Sequence, residues 1–323
     1  MANLSVRIAN RAKNTFKAFK TDCSFSVSYG LLRILDELGG RVGLKRISSW
    51  AHYKKDKWIL KYLKKELEPI LKKYHDLNES STYFPSAPIW VCWWTGEETA
   101  PLLVKRCISS IRSNANGHPV KLITRDNYSE YLDIPSYILN KVSSGQMCLA
   151  NFSDYLRFSL LKRYGGLWLD ATIFCSGPLQ DELFQMPLFT CKSPPKETTY
   201  ISRYRWTAFC FGGYREGLLF RFMHDAFNLY WQKNEVSIDY LLVDYLIEIA
   251  YSEIPAIRMQ LDSVPCNNLH RDDLQAAMNA ALPASQFSSV LQSDTSLYKL
   301  SWREHYAEQT TDGSDSIYKY FCQ

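Results

Sequence analysis

Residues 153–172 read SDYLRFSLLKRYGGLWLDAT, and this stretch decides the fold. Phe152, Leu156, Leu160 and Leu161 recur at helical spacing, which predicts a helix over 151–163 with one apolar side. Gly165-Gly166 stops it. Residues 167–174 (LWLDATIF) are then an apolar run short enough for a buried strand. Asp170 falls inside that run, where a carboxylate has to be paired, hydrogen-bonded or bound to a ligand. Asp154 and Arg157 stand three apart, so they share a helix face and can pair. Taken alone, they are a surface ion pair, and Asp170 is an aspartate capping a turn at a strand end.

The flanking sequence repeats the pattern. Residues 88–93 (PIWVCW) read as a buried strand, Thr95-Gly96 as a turn and 101–112 as a helix. Residues 120–124 (VKLIT) make the next strand, which exits at Arg125-Asp126-Asn127, and 134–142 a short helix. Strand and helix alternate over roughly ninety residues, which argues an α/β protein with a largely parallel sheet. Further strands are expected at 188–191 and 208–211, and helices at 216–232, 240–251 and 272–280. Ligands of such sheets sit beyond the carboxyl ends of the strands, which marks the loops after Trp93, after Thr124 and around Asp170. Thr95-Gly96-Glu97-Glu98 fits neither GxGxxG nor GxxxxGK[ST], so a dinucleotide site and a P-loop are disfavoured.

Composition narrows the class. A chain of 323 residues that is 46% hydrophobic can bury a full core without disulfides or a structural metal. It contains no apolar run of ~18 residues, because Asp244 and Glu248 break the best candidate at 240–251. Its nine cysteines form no CxxC pair and fit free thiols in a reducing compartment. Arg7, Arg11, Lys13, Lys17 and Lys20 leave no apolar signal core, so a cytoplasmic protein is expected. The histidines show no HxxxH or HExxH spacing, and no GxSxG elbow occurs, which disfavours metallohydrolase and serine hydrolase chemistry.

Charge divides the chain. Residues 1–80 hold 17 Lys+Arg against 8 Asp+Glu, whereas the remainder is net negative. We therefore expect a basic helical region over 1–80 and a second domain over 81–323. Leu4, Ile8, Ala12, Phe16 and Phe19 share a helical face, a second helix is predicted over 29–38 ending at Gly39-Gly40, and a third over 57–74. The third carries Ile59, Leu63, Leu67, Ile70 and Tyr74 on one stripe, with six lysines off it. Basic amphipathic helices can lie in an anionic membrane surface, and the bland alternative is a helical subdomain packed on the main body. Nothing carries a nucleic-acid signature.

Ser153, Asp154, Arg157, Tyr164-Gly165-Gly166, Trp168 and Asp170 together resemble the S-D-x-x-R, Y-G-G and aspartate motifs of capsular polysaccharide synthesis proteins, relatives of glycosyltransferase family 32. The likeness extends to residues 90–96 (WVCWWTG), 101–110 (PLLVKRCISS), Arg125-Asp126-Asn127-Tyr128 and Ile134-Pro135. It continues through Asp239-Tyr240 with Asp244-Tyr245 and Lys299-Leu300-Ser301-Trp302. It spans roughly Pro88 to Trp302.

The resemblance implies a GT-A fold, Rossmann-like with a mostly parallel mixed sheet. It also implies retaining transfer of a sugar from a nucleotide donor, a UDP-sugar by preference, to a growing capsule or O-antigen type glycan acceptor carried on a lipid. By analogy Asp154 and Arg157 would bind the donor sugar. Trp168 and Trp93 would lie near ribose or base, and Asp170 would hold the ribose and a divalent ion. Lys299, Ser301 and Trp302 would close over the diphosphate, with Arg125 as a further cation. Asp239 and Asp244 are acceptor-side candidates that sit about 140° apart on a helix, and Asp244 is counted with Asp154, Arg157 and Asp170 as catalytic. His270 and His305 are outside candidates near the donor. Relatives carry D-x-D where this chain has Asp170-Ala171-Thr172, so Thr172 replaces a carboxylate. Binding of Mn²⁺ or Mg²⁺ is therefore expected to be weak or dispensable. Competing readings are a non-catalytic nucleotide-sugar or carbohydrate-binding module with a degenerate motif, and a protein-modifying effector. The protein is expected in the cytoplasm, peripherally at the inner face of the plasma membrane.

Overall fold

The computed structural model describes residues 18–83, 87–281 and 291–322. In chain order the helices are α1 (Val27–Arg41), α2 (Lys45–Glu66), α3 (Glu68–Tyr74), α4 (Leu102–Ser113), α5 (Ser136–Ser143) and α6 (Leu149–Tyr164). They continue as α7 (Leu218–Lys233), α8 (Leu242–Glu253), α9 (Pro255–Ser263), α10 (Asp273–Ala277) and α11 (Ile317–Cys322). The strands are β1 (Ile89–Cys92), β2 (Val120–Ile123), β3 (Gly166–Leu169), β4 (Ile173–Cys175), β5 (Leu188–Thr190), β6 (Cys210–Gly213) and β7 (Leu297–Lys299). Five of them form one sheet in the order β2-β1-β3-β6-β5. β1 runs parallel to both β2 and β3, and β6 is antiparallel to β3 and β5. Four strands run one way and β6 against them, so the sheet is largely parallel as the alternation implied and mixed as the family resemblance implied.

Alternation along the strands sends side chains to two cores. Trp90, Trp168 and Phe211 pack toward α6, α7 and α8. Ile89, Val91, Leu167 and Leu169 pack toward Val104, Ile108 and Ile111 of α4 on the opposite face. Gly166 makes the close approach of β3 to the start of β1 possible. Its φ is +96°, and a Cβ there would stand 2.1 Å from the Pro88 carbonyl oxygen.

Three expectations about elements need correction. Residues 167–174 are two strands rather than one. The Asp170 N–H makes the last sheet bond, to Phe209 O at 3.0 Å, and Ile173 N–H then turns back onto Asp170 O at 2.9 Å. Beyond that turn β4 pairs with β7, setting Ile173 against Lys299. Helix α6 is buried on most of its circumference rather than along one side, so Asp154–Arg157 lies in the interior and not on the surface. Gly39-Gly40 do not end α1; Gly39 lies inside the helix, where a Cβ would come within 3.1 Å of the Ser48 backbone nitrogen. The absent side chain lets α1 and α2 pack closely.

The expected helix over 57–74 is the end of α2 plus α3, parted at Leu67. Ile59, Leu63, Leu67 and Tyr74 are buried in the same core as α7 and α8. Polar contacts fasten the join: Tyr245 Oη donates to Asp56 (2.6 Å), Tyr62 Oη to Asn234 (2.9 Å) and Lys73 pairs with Asp225 (2.7 Å). The predicted stripe thus faces the protein's own body, because the body presents α7 and α8 to it. The predicted face of Leu4, Ile8, Ala12 and Phe16, with its basic partners, lies outside the described residues. Among the described residues no helix is long and apolar enough to cross a membrane.

Candidate functional site

The carboxyl end of β3 carries a chain of charges drawn from three separate segments. Arg157 on α6 donates from Nη1 to Asp154 Oδ1 at 2.7 Å and from Nη2 to Asp170 Oδ1 at 3.1 Å. Trp168 Nε1 donates to the same Asp170 oxygen at 3.0 Å. The Arg157 guanidinium also lies 5.0 Å from the Trp168 ring centre, a cation–π distance. Lys299, delivered by β7, donates to Asp170 Oδ2 at 2.9 Å and to Thr172 Oγ1 at 2.8 Å. Asp154 and Arg157 are buried, whereas the Asp170 and Lys299 side chains are each 28% exposed, so the chain of charges opens to solvent at one end.

Electrostatics differ along the chain. Burial pushes the Asp154 carboxyl up to about 7, with Arg157 opposing the rise and the nearby Asp170 and Asp244 adding to it. Burial alone would raise Asp170 too, but Lys299 and then Arg157 outweigh it and hold that carboxyl below the ordinary range. Asp244 rises to about 6 through burial, against its hydrogen bond from Trp206. Two buried donors in this part of the fold have no partner among the described residues: Arg157 Nε and the indole N–H of Trp93. A buried polar group left unpaired is costly, so such donors point to a ligand.

The structure gathers Asp154, Arg157, Trp168, Asp170, Thr172 and Lys299. Trp93, just past β1, meets Trp302 edge to face at 5.7 Å, and Trp302 is itself exposed. Asp244 is held by Trp206 Nε1 at 2.8 Å. Ser301 accepts the Arg303 N–H on its own hydroxyl at 3.3 Å and gives its backbone N–H to Gln275. Arg125 stays outside the cluster, exposed and 3.4 Å from Asp126. Asp239 is tied to Arg33 and Lys55 beneath the N-terminal helices. His270 pairs with Asp273 on the surface, and His305 makes no contact with the cluster. Sequence reasoning missed Trp206, which sets Asp244. It also missed Phe209, whose carbonyl accepts the Asp170 N–H and whose ring centre lies 5.2 Å from Lys299 Nζ. No local spacing relates these residues to the ones they hold.

The donor set does not fit a divalent ion in this arrangement. Asp170 is its one carboxylate not buried against the helix, and both its oxygens and the Thr172 hydroxyl are already engaged by cations or the indole. Lys299 Nζ engages both Asp170 and Thr172, the two side chains that would have to hold such an ion. Among the described residues no group of three or more His, Cys, Asp or Glu side chains is placed to hold a metal.

The molecule is therefore an α/β protein with a charged, partly open cluster where its parallel strands end. A model of the capsular polysaccharide synthesis protein family matches residues 42–321, and the chain belongs to that family. No curated protein matches it. Among solved structures it is similar to one titled PaToxG Glycosyltransferase, at 15% identity and a TM-score of 0.39, over 66% of this chain and 89% of that one. A likeness at that level assigns no residue a role.

Proposed function

We propose that this protein is a glycosyltransferase that moves a sugar from a nucleotide-sugar donor to a capsule or O-antigen type glycan carried on a lipid. Membership of a polysaccharide synthesis family supports the reaction class. The observation that carries the reading is the contact chain Asp154–Arg157–Asp170–Lys299 at the end of β3. Breaking a glycosyl–phosphate bond leaves positive charge on the sugar and negative charge on the departing diphosphate. Asp154 and Asp170 are the carboxylates for the sugar side, and Lys299, partly exposed, is the cation for the diphosphate. Arg157, gripped at two nitrogens, keeps its Nε free for the donor, and Trp93 supplies a second free N–H. Trp302 closes the open side and excludes water, which would otherwise hydrolyse the donor. Transfer proceeds with retention: the departing phosphate takes the acceptor proton, so Asp244, pinned by Trp206, acts as an acceptor contact and not as a base.

One observation favours a second reading, a binding module without turnover: Lys299 engages both Asp170 and Thr172, so the aspartate motif is already satisfied within the chain. A thermal-shift screen of UDP-, GDP- and CMP-sugars with and without Mn²⁺, followed by donor turnover, separates the two. The transferase reading expects one nucleotide class to stabilise the protein and be turned over, with most of that turnover surviving chelation by EDTA. Stabilisation without turnover selects the binding module, and no stabilisation by any donor rejects both.

A further inference from the structure

Nine of the nineteen exposed large hydrophobic side chains among the described residues fall within residues 27–53. They belong to α1, to the α1–α2 turn and to the first half of α2. Leu31, Leu38, Val42, Leu44, Ile47 and Trp50 are each 45–67% exposed. On α1 these side chains lie opposite Tyr29 and Arg33, which reach the body at Ile238. The apolar row is therefore the outward face of a hairpin whose inward face is already docked. Its tip is Val42-Gly43-Leu44, where Gly43 has φ +77° and open space around it. Soluble surfaces rarely carry a contiguous apolar area of this kind without something to cover it.

Charge decides what covers it. Lys45 and Arg46 begin α2 at the tip, and Lys54 follows on the same outward arc as Ile47 and Trp50. None of these three cations makes an ion pair with a described residue. Lys57 stands 4.5 Å from the Tyr53 ring centre on that arc. A second copy of the chain would have to press these unpaired cations against their own kind, which like-charge repulsion opposes. A bilayer bearing anionic headgroups takes both features: the aliphatic and indole groups enter the headgroup–acyl boundary and the cations meet phosphate. We propose that the α1–α2 hairpin tip is the surface by which this protein seats on an anionic lipid bilayer, with Val42 and Leu44 inserted and Lys45 and Arg46 on the headgroups.

The inference deepens the lipid-linked acceptor part of the proposed function, and its test is independent of transfer. The full chain is sedimented with phosphatidylcholine vesicles with and without phosphatidylglycerol. Wild type should bind the anionic vesicles only. The pairs Val42→Glu with Leu44→Glu, and Lys45→Glu with Arg46→Glu, should each lower partitioning by about tenfold or more. Their unfolding temperature and nucleotide-sugar binding should stay at wild-type values, which separates lost docking from lost folding. Three results overturn the proposal: wild type that ignores both vesicles, either pair binding like wild type, or a wild-type dimer in light scattering that Val42→Glu with Leu44→Glu splits. Donor turnover lost while vesicle binding persists would sink the transferase reading and leave this one standing.

Discussion

Two of the charge clusters in this molecule are built differently. Beneath the N-terminal helices, Arg33 stands 3.4 Å from Asp22 and 3.5 Å from Asp239. Lys55 lies 3.6 Å from both Asp36 and Asp56 and 4.0 Å from Asp239, and His52 is 2.8 Å from Asp36. Those charges satisfy one another, and they join α1 and α2 to the body. The cluster at the end of β3 has shorter contacts, yet it leaves Arg157 Nε unpartnered. Exposure does not separate the two, since the Arg33 side chain is 35% exposed and that of Asp170 28%. Clustered charge alone therefore does not mark a site. A closed set of partners marks a fastening, and an open set with orphaned donors marks a place for a ligand.

The largest effect should come from the open cluster. Asp170→Asn is expected to lower donor turnover by ~10²-fold or more, because it removes the charge that orders Lys299 and Arg157. Near-normal turnover would erase the distinction between the clusters. Arg157→Lys should also cost on the order of 10²-fold, since one nitrogen on a shorter side chain replaces the two that reach Asp154 and Asp170 separately. If that variant loses only thermal stability, Arg157 is a fastening residue after all. In the closed cluster, Lys55→Met should lower the unfolding free energy by about 1 kcal/mol or more by removing the cation that Asp36 and Asp56 share, with turnover unchanged. Denaturant titration and kinetics on the same sample check both halves.

The smallest effect is a pH dependence. Burial raises the Asp244 carboxyl to about 6 in the folded protein, so on unfolding it returns to the ordinary range near 4. The native state then holds a proton that the unfolded state has lost, and stability falls as pH climbs between those values. Asp244→Asn removes that slope, so the variant should gain on the order of 2 kcal/mol relative to wild type between pH 4 and pH 7. Asp154, raised to about 7, keeps its own slope in the variant. Parallel stability curves for the two proteins would show that Asp244 is not held as the structure places it.

Local pattern made much of this legible. The strands at 88–93 and 120–124 and the helices at 101–112, 134–142, 216–232 and 240–251 appear within a few residues of their expected places, because each buries a face whose period is written in its own residues. The pairing of Asp154 with Arg157 was legible for the same reason, since i,i+3 neighbours meet on any helix. The break at Asp170 was not. Residues 167–174 are apolar apart from Asp170 and Thr172, and only the arrival of β7 beside β4 shows that the chain has left the sheet there.

By itself the sequence determined the alternation of strands and helices, the glycines that end α6 and the identities of the charged groups, all properties of near neighbours along the chain. Only the tertiary structure decided which groups stand together and which face is left bare. Lys299 reaches Asp170 across 129 residues because β7 pairs with β4. The stripe of Ile59, Leu63 and Leu67 turned inward because α7 and α8 present an apolar face to it. Periodicity says that a face will be buried; the partner that buries it comes from elsewhere in the chain, and only packing chooses it.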